Sequence, residues 1–68
     1  MITLEIESVA DNGTTLAAKV VCGHDLHHAV QEGQSELDRL ALIWPEANHC
    51  LIDEEGDTIA TIPAAAVA

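Results

Sequence analysis

Leu26, Val30, Gly33, Leu37, Leu40 and Trp44 follow one another at spacings of four, three, four, three and four. Those steps stay within one narrow sector of a 3.6-residue helix, so the middle of the chain is predicted as a single amphipathic helix. Asp25 is its expected N-cap and about Ile43 its end, because the residue before Pro45 is pushed out of helical geometry. Ala29 and Ala41 flank the stripe. Gly33 costs about 1 kcal/mol relative to alanine in a helix interior. On the inward stripe it allows a close approach to whatever the helix covers. A competing reading ends one helix at Gly33 and starts another at Ser35, using the Ser35-x-x-Asp38 spacing as a variant capping box.

The covered surface must come from the flanking segments, and both read as hairpins. Ile2, Leu4 and Ile6 alternate with Thr3, Glu5 and Glu7, the period-two pattern of a strand with one dry face. Asp11-Asn12-Gly13-Thr14 supplies a pair tolerant of positive φ for a tight turn. A second strand is expected from Thr15 to Cys22, with Leu16, Ala18, Val20 and Cys22 on one face and Ala17, Lys19 and Val21 on the other. Lys19 is expected across from Glu5 or Glu7, a cross-strand pair worth at most about 1 kcal/mol. Beyond the helix, strands are expected over 49–53 and 58–62, joined at Asp53-Glu54-Glu55-Gly56-Asp57. There Gly56 suits the left-handed position after a type I turn. That reading puts Cys50 opposite Ala60, Ile52 opposite Thr58 with Ile62 on the same face, and Leu51 and Ile59 together on the wet face. The flipped register is the alternative.

The expected fold class is therefore α+β: one β-β-α-β-β domain over residues 1–63, a four-stranded antiparallel sheet with one helix packed on one face. Residues 64–68 are expected as a frayed tail. A chain of this length buries about 60% of its unfolded surface and is marginally stable. Trp44 is its only aromatic apart from histidine. A homodimer through Leu51 and Ile59, with Val21 beside them, is one way to enlarge so small a core. Apolar residues make up 49% of the chain and are periodic, which argues against disorder. No leader-like basic segment and no apolar run of spanning length is visible, so a cytoplasmic location away from membranes is expected, with Cys22 and Cys50 reduced.

Little in the chain points to chemistry of its own. Cys22, His24, His27 and His28 cluster before and within the helix start, and His49-Cys50 opens the third strand. Cys22, His24, His49 and Cys50 are the candidate zinc ligands should the two groups converge, but no Cys-x-x-Cys pair is present. Exposed histidines and buried thiols are the default, and no metal or cofactor is expected. The 53–57 loop is too short for a calcium loop. No nucleophile, base and orienting group share a recognisable context, so no catalytic residue is assigned. Isolated glycines make no phosphate cradle.

Charge is the remaining signal. Twelve carboxylates face only Lys19 and Arg39, a net charge of −10 in 68 residues. Such a field repels nucleic acid and anionic membranes and draws in basic surfaces, although excess acid is equally what a highly soluble or salt-adapted protein carries. Glu5 and Glu7 project about 6.6 Å apart from one strand face. That separation is comparable with successive phosphates of one nucleic-acid strand. Glu32 and Glu36 are i,i+4 neighbours on one helix flank. With Asp38 and the tip residues Asp53, Glu54, Glu55 and Asp57, they form the candidate partner-binding set. The size, acidity and element order resemble the small phage-encoded anti-CRISPR inhibitors, some of which are helix-on-sheet proteins. The resemblance implies a non-enzymatic inhibitor that occupies a basic, nucleic-acid-binding surface of a protein or ribonucleoprotein, such as a CRISPR effector, without touching nucleic acid itself. It carries no residue assignment. The alternatives are a structural or regulatory homodimer and a small zinc-binding module.

Overall fold

A computed structural model of the chain describes residues 1–65. Its elements are β1 (Ile2–Val9), β2 (Thr15–Gly23), α1 (Leu26–Ile43), β3 (Asn48–Ile52) and β4 (Thr58–Ile62). The four strands form one antiparallel sheet in the order β2-β1-β3-β4, so the first strand of each hairpin lies at the centre. The helix covers one face of this sheet. The other face carries no layer among the described residues.

The helix is unbroken across Gly33, as the apolar stripe predicts. Asp25 caps it, its carboxylate accepting from the His28 N–H at 2.9 Å. At the far end Trp44 leaves helical geometry before Pro45 and still donates its N–H to Leu40 O at 2.8 Å. Gly33 is buried, and a Cβ there would meet the Leu51 side chain. Ala29, Leu37 and Leu40 are buried with it, and Val30 and Trp44 pack at the margin. Leu26 departs from the expected stripe and is 56% exposed. It stands in the first turn, and helical side chains lean toward the N-terminus, which carries it away from the core. Gly23 sets that start, because a Cβ there would overlap the backbone of Ala29.

Leu4, Ile6 and Ser8 of β1 face the helix, as alternation requires, and Leu51 of β3 joins them. Pairing places Val21, Lys19 and Ala17 of β2 opposite these β1 residues. Lys19 is therefore on the helix side, opposite Ile6, rather than across from Glu5 or Glu7. The second hairpin keeps the expected Ile52–Thr58 pair, but beyond it Leu51 pairs with Ala60 and Cys50 with Thr61, one step from the expected register. Ile62 lies opposite inward-facing His49 instead of sharing the face of Ile52. Leu51 is fully buried, so the expected Leu51–Ile59 contact on the wet face does not form. The physical reason is that Leu51 pairs with inward-facing Ile6 of β1 and fills the groove left by Gly33, while a bulge between Leu51 and Ile52 leaves Ile59 as the extra residue of β4. Val21 also packs against the core from the helix side.

Both hairpins close with the same turn. Gly13 donates to Ala10 O and Gly56 to Asp53 O, at 2.9 and 3.1 Å. Each glycine has a positive φ, 86° and 89°, and no other described residue does. These are three-residue loops with a bulge, so Asn12 does not share a positive φ with Gly13 as the tight two-residue turn requires. Ala64 and Ala65, expected to begin a frayed tail, are tied to Asn48 Oδ1 and Pro45 O at 3.0 and 2.8 Å. The rest of that expected tail, residues 66–68, lies outside the described residues. Among the described residues no helix is long and apolar enough to cross a membrane.

Candidate partner-binding face

The helix-free face of the sheet takes every residue out of phase with the core. Glu5 and Glu7 project from β1 at its centre, both exposed. Val20 of β2 sits opposite Glu5 and is 61% exposed. On the other side, Ile52 and Cys50 of β3 pair with Glu5 and Glu7. Ile59 is partly exposed beyond them. The face is thus an acidic row with aliphatic shoulders.

The second hairpin's tip folds against the start of this row. Glu54 accepts the Thr3 N–H at 2.9 Å, which brings its carboxylate beside Glu5. Thr3, Glu5, Asp53, Glu54 and Gly56 line a hollow of about 300 Å³ there. Asp53 is occupied differently from its neighbours: its Oδ1 accepts the N–H groups of Glu55 and Asp57, both at 2.9 Å, and shapes the turn. Glu55 and Asp57 are exposed at the tip.

The helical members of the expected set lie elsewhere. Glu32 and Asp38 are exposed on α1, which covers the opposite face, and Asp38 accepts from Gln34 at 3.2 Å. Glu36 is not an available anion. Its Oε1 receives both Lys19 Nζ at 2.7 Å and Arg39 Nη2 at 2.6 Å. The Arg39 hydrogen bonds first, then that of Lys19, lower its pKa to about 2, and the same pairing raises that of Arg39. Lys19 and Arg39 are the only basic side chains besides histidine. Every carboxylate other than Glu36 therefore lacks a Lys or Arg partner, and the candidate acids divide into a sheet face and a helix face rather than one continuous patch.

The expected zinc ligands do not converge. Cys22 lies opposite Thr3 and Cys50 opposite Glu7, four residues further along β1. That is about 13 Å of strand, with β1 between them. Both thiols are free. His49 points to the other face, where it is 1% exposed. What does come together is His24, Asp25 and His28, whose potential ligand atoms lie within 4.8 Å of one another, all exposed. Asp25 has a lowered pKa, first because its carboxylate accepts the His28 N–H.

One buried pair is not indicated by any local sequence pattern. Ser8 Oγ lies 2.7 Å from His49 Nδ1, and His49 Nε2 lies 3.0 Å from Trp44 O. A carbonyl only accepts, so Nε2 carries the proton and Nδ1 accepts from the Ser8 hydroxyl in the neutral ring. The sequence shows only that Ser8 continues the inward phase of Leu4 and Ile6. The arrangement has the elements of a serine–histidine dyad, but Ser8 and His49 are 0% and 1% exposed, so a substrate carbonyl does not reach the hydroxyl in this structure. Its role here is to join β1, β3 and the helix end.

No family model, curated protein or solved structure matches the chain.

Proposed function

We propose that this chain is a non-enzymatic interaction module of the cytoplasm that binds a basic protein surface through the helix-free face of its sheet. The observation that carries the reading is the row of Glu5 and Glu7, without a Lys or Arg partner and flanked by exposed Val20 and half-buried Ile52. Lysine and arginine are suited to such a face, because their charged heads meet the carboxylates while their aliphatic stems lie on the apolar shoulders. Surfaces rich in such side chains are those that hold nucleic acid. The module therefore acts as an inhibitor of a nucleic-acid-binding protein, in the manner of the anti-CRISPR proteins it resembles. Glu32, Asp38 and the tip acids extend the field that steers encounter without forming the contact.

The test is inhibition of nucleic-acid binding across a panel of CRISPR effector complexes, comparing the native chain with Glu5→Lys/Glu7→Lys and with Glu32→Lys. The sheet variant is expected to lose inhibition and Glu32→Lys to keep most of it. Inhibition of no effector, or equal inhibition by native and sheet-variant chains, overturns the reading.

A further inference from the structure

A groove of about 410 Å³ opens at the opposite end of α1 from the cap, between the helix end and the β1–β2 turn. Its apolar lining includes Leu16, Ile43 and Trp44, and its acidic lining is Asp11 and Glu46. Ile43 is 51% exposed and Trp44 half-buried, so the apolar surface is reachable. Trp44 is held from its backbone, its carbonyl accepting from both His49 Nε2 and Ala47 N–H at 3.0 and 3.1 Å. The helix C-terminus adds partial negative charge to the groove, and no basic residue occupies the last turn to offset it.

From this combination we infer that the groove is a binding site for an arginine side chain presented by a partner protein. The inference rests on the reading above for the partner's basic character, but the groove is separate from the Glu5–Glu7 row. The chemistry is complementary at each point. A guanidinium is planar and weakly hydrated, so it stacks on an indole face while donating sideways to carboxylates. Its aliphatic stem meets Leu16 and Ile43. The chain's own arginine is engaged by Glu36 and leaves the groove to an outside group.

Trp44 is the only tryptophan, and the chain has no tyrosine, so intrinsic fluorescence reports on this groove alone. The probe is acetyl-Gly-Arg-Gly-amide, titrated at low salt against the isosteric but neutral citrulline peptide. A saturable change with arginine is expected, with the citrulline peptide at least about fivefold weaker. Asp11→Asn/Glu46→Gln, both at exposed positions, is expected to abolish the preference while circular dichroism shows the fold intact. Equal binding of the two peptides, no saturable response, or a preference that survives in the double variant overturns the inference. So does a Trp44 spectrum that changes with protein concentration alone, which would place a second copy of the chain in the groove. No partner protein enters this assay, so its failure is distinct from failure of the sheet-face reading.

Discussion

Gly33 and Leu51 meet so closely that a Cβ on the glycine would stand 2.6 Å from Leu51 Cδ1. The helix is seated on β3 at this point, and the missing side chain is the space the leucine fills. Alanine at this position therefore has opposed effects. It gains about 1 kcal/mol of helix propensity and incurs an overpacking cost of about 1–3 kcal/mol. Gly33→Ala is expected to destabilise by about 1 kcal/mol in urea unfolding. In a Leu51→Val background, where the clashing methyls are gone, the same change is expected to stabilise. A gain of stability in both backgrounds would show that the seat is not tight.

The Ser8–His49 bond predicts a different pattern. Ser8→Ala leaves His49 Nδ1 buried without a donor, which costs about 1–3 kcal/mol. Removing both polar groups in Ser8→Ala/His49→Leu is expected to cost clearly less than the sum of the single changes, since Trp44 O keeps the Ala47 N–H. Strict additivity in chemical denaturation would contradict the pairing.

Which parts of this architecture could be read from the residues depends on whether the pattern there was redundant. The helix repeats its apolar step five times and β1 alternates over three pairs, so both survive a single irregularity. Cys50, Leu51 and Ile52 are apolar in succession and carry no alternation, so period-two reasoning cannot choose which of them faces the core. The pairing with β1 decides it, since Leu51 lies opposite Ile6 while Cys50 and Ile52 lie opposite Glu7 and Glu5, and the bulge at Ile59 then offsets β4 without changing composition. The candidate site fails to be legible for a related reason. Glu32 and Glu36 look equivalent on one helix flank, but only the folded chain brings Lys19, 17 positions earlier, onto Glu36. Likewise a strand carboxylate and a helix carboxylate read alike until the sheet's two faces separate Glu5 and Glu7 from Glu32 and Asp38. Ser8 is inward by phase, but its polar side chain does not by itself identify a partner 41 residues away.

A net charge of −10 with every Lys and Arg spent on one carboxylate leaves the remaining acids to repel one another. Salt screens that repulsion, with a Debye length of about 10 Å at 0.1 M and about 3 Å at 1 M. The melting temperature is expected to rise as sodium chloride increases from 10 mM to 500 mM, by an amount larger than the weakening of the Glu36 pairs. A flat or falling melting temperature would mean that the charges are already too dispersed to strain the fold.

Glu36 links the edge strand to the helix through Lys19 and the helix to itself through Arg39, three residues on. Its pKa falls from 4.5 to about 2 on folding, through the hydrogen bonds of Arg39 first and Lys19 second. A carboxylate depressed in this way stabilises the folded state fully above its unfolded value, and the contribution fades as pH drops toward the folded value. Glu36→Gln is therefore expected to melt below the native chain at pH 7. The difference should shrink as pH falls through 4.5 and vanish near 2. Because the pairs are reached by solvent, the gap at pH 7 is expected to be small, about 2–5 °C. Glu32→Gln, on the same flank but without a Lys or Arg partner, is expected to show no loss at pH 7. A Glu36→Gln deficit that persists unchanged at pH 2 would assign it to packing of the side chain instead of to its charge.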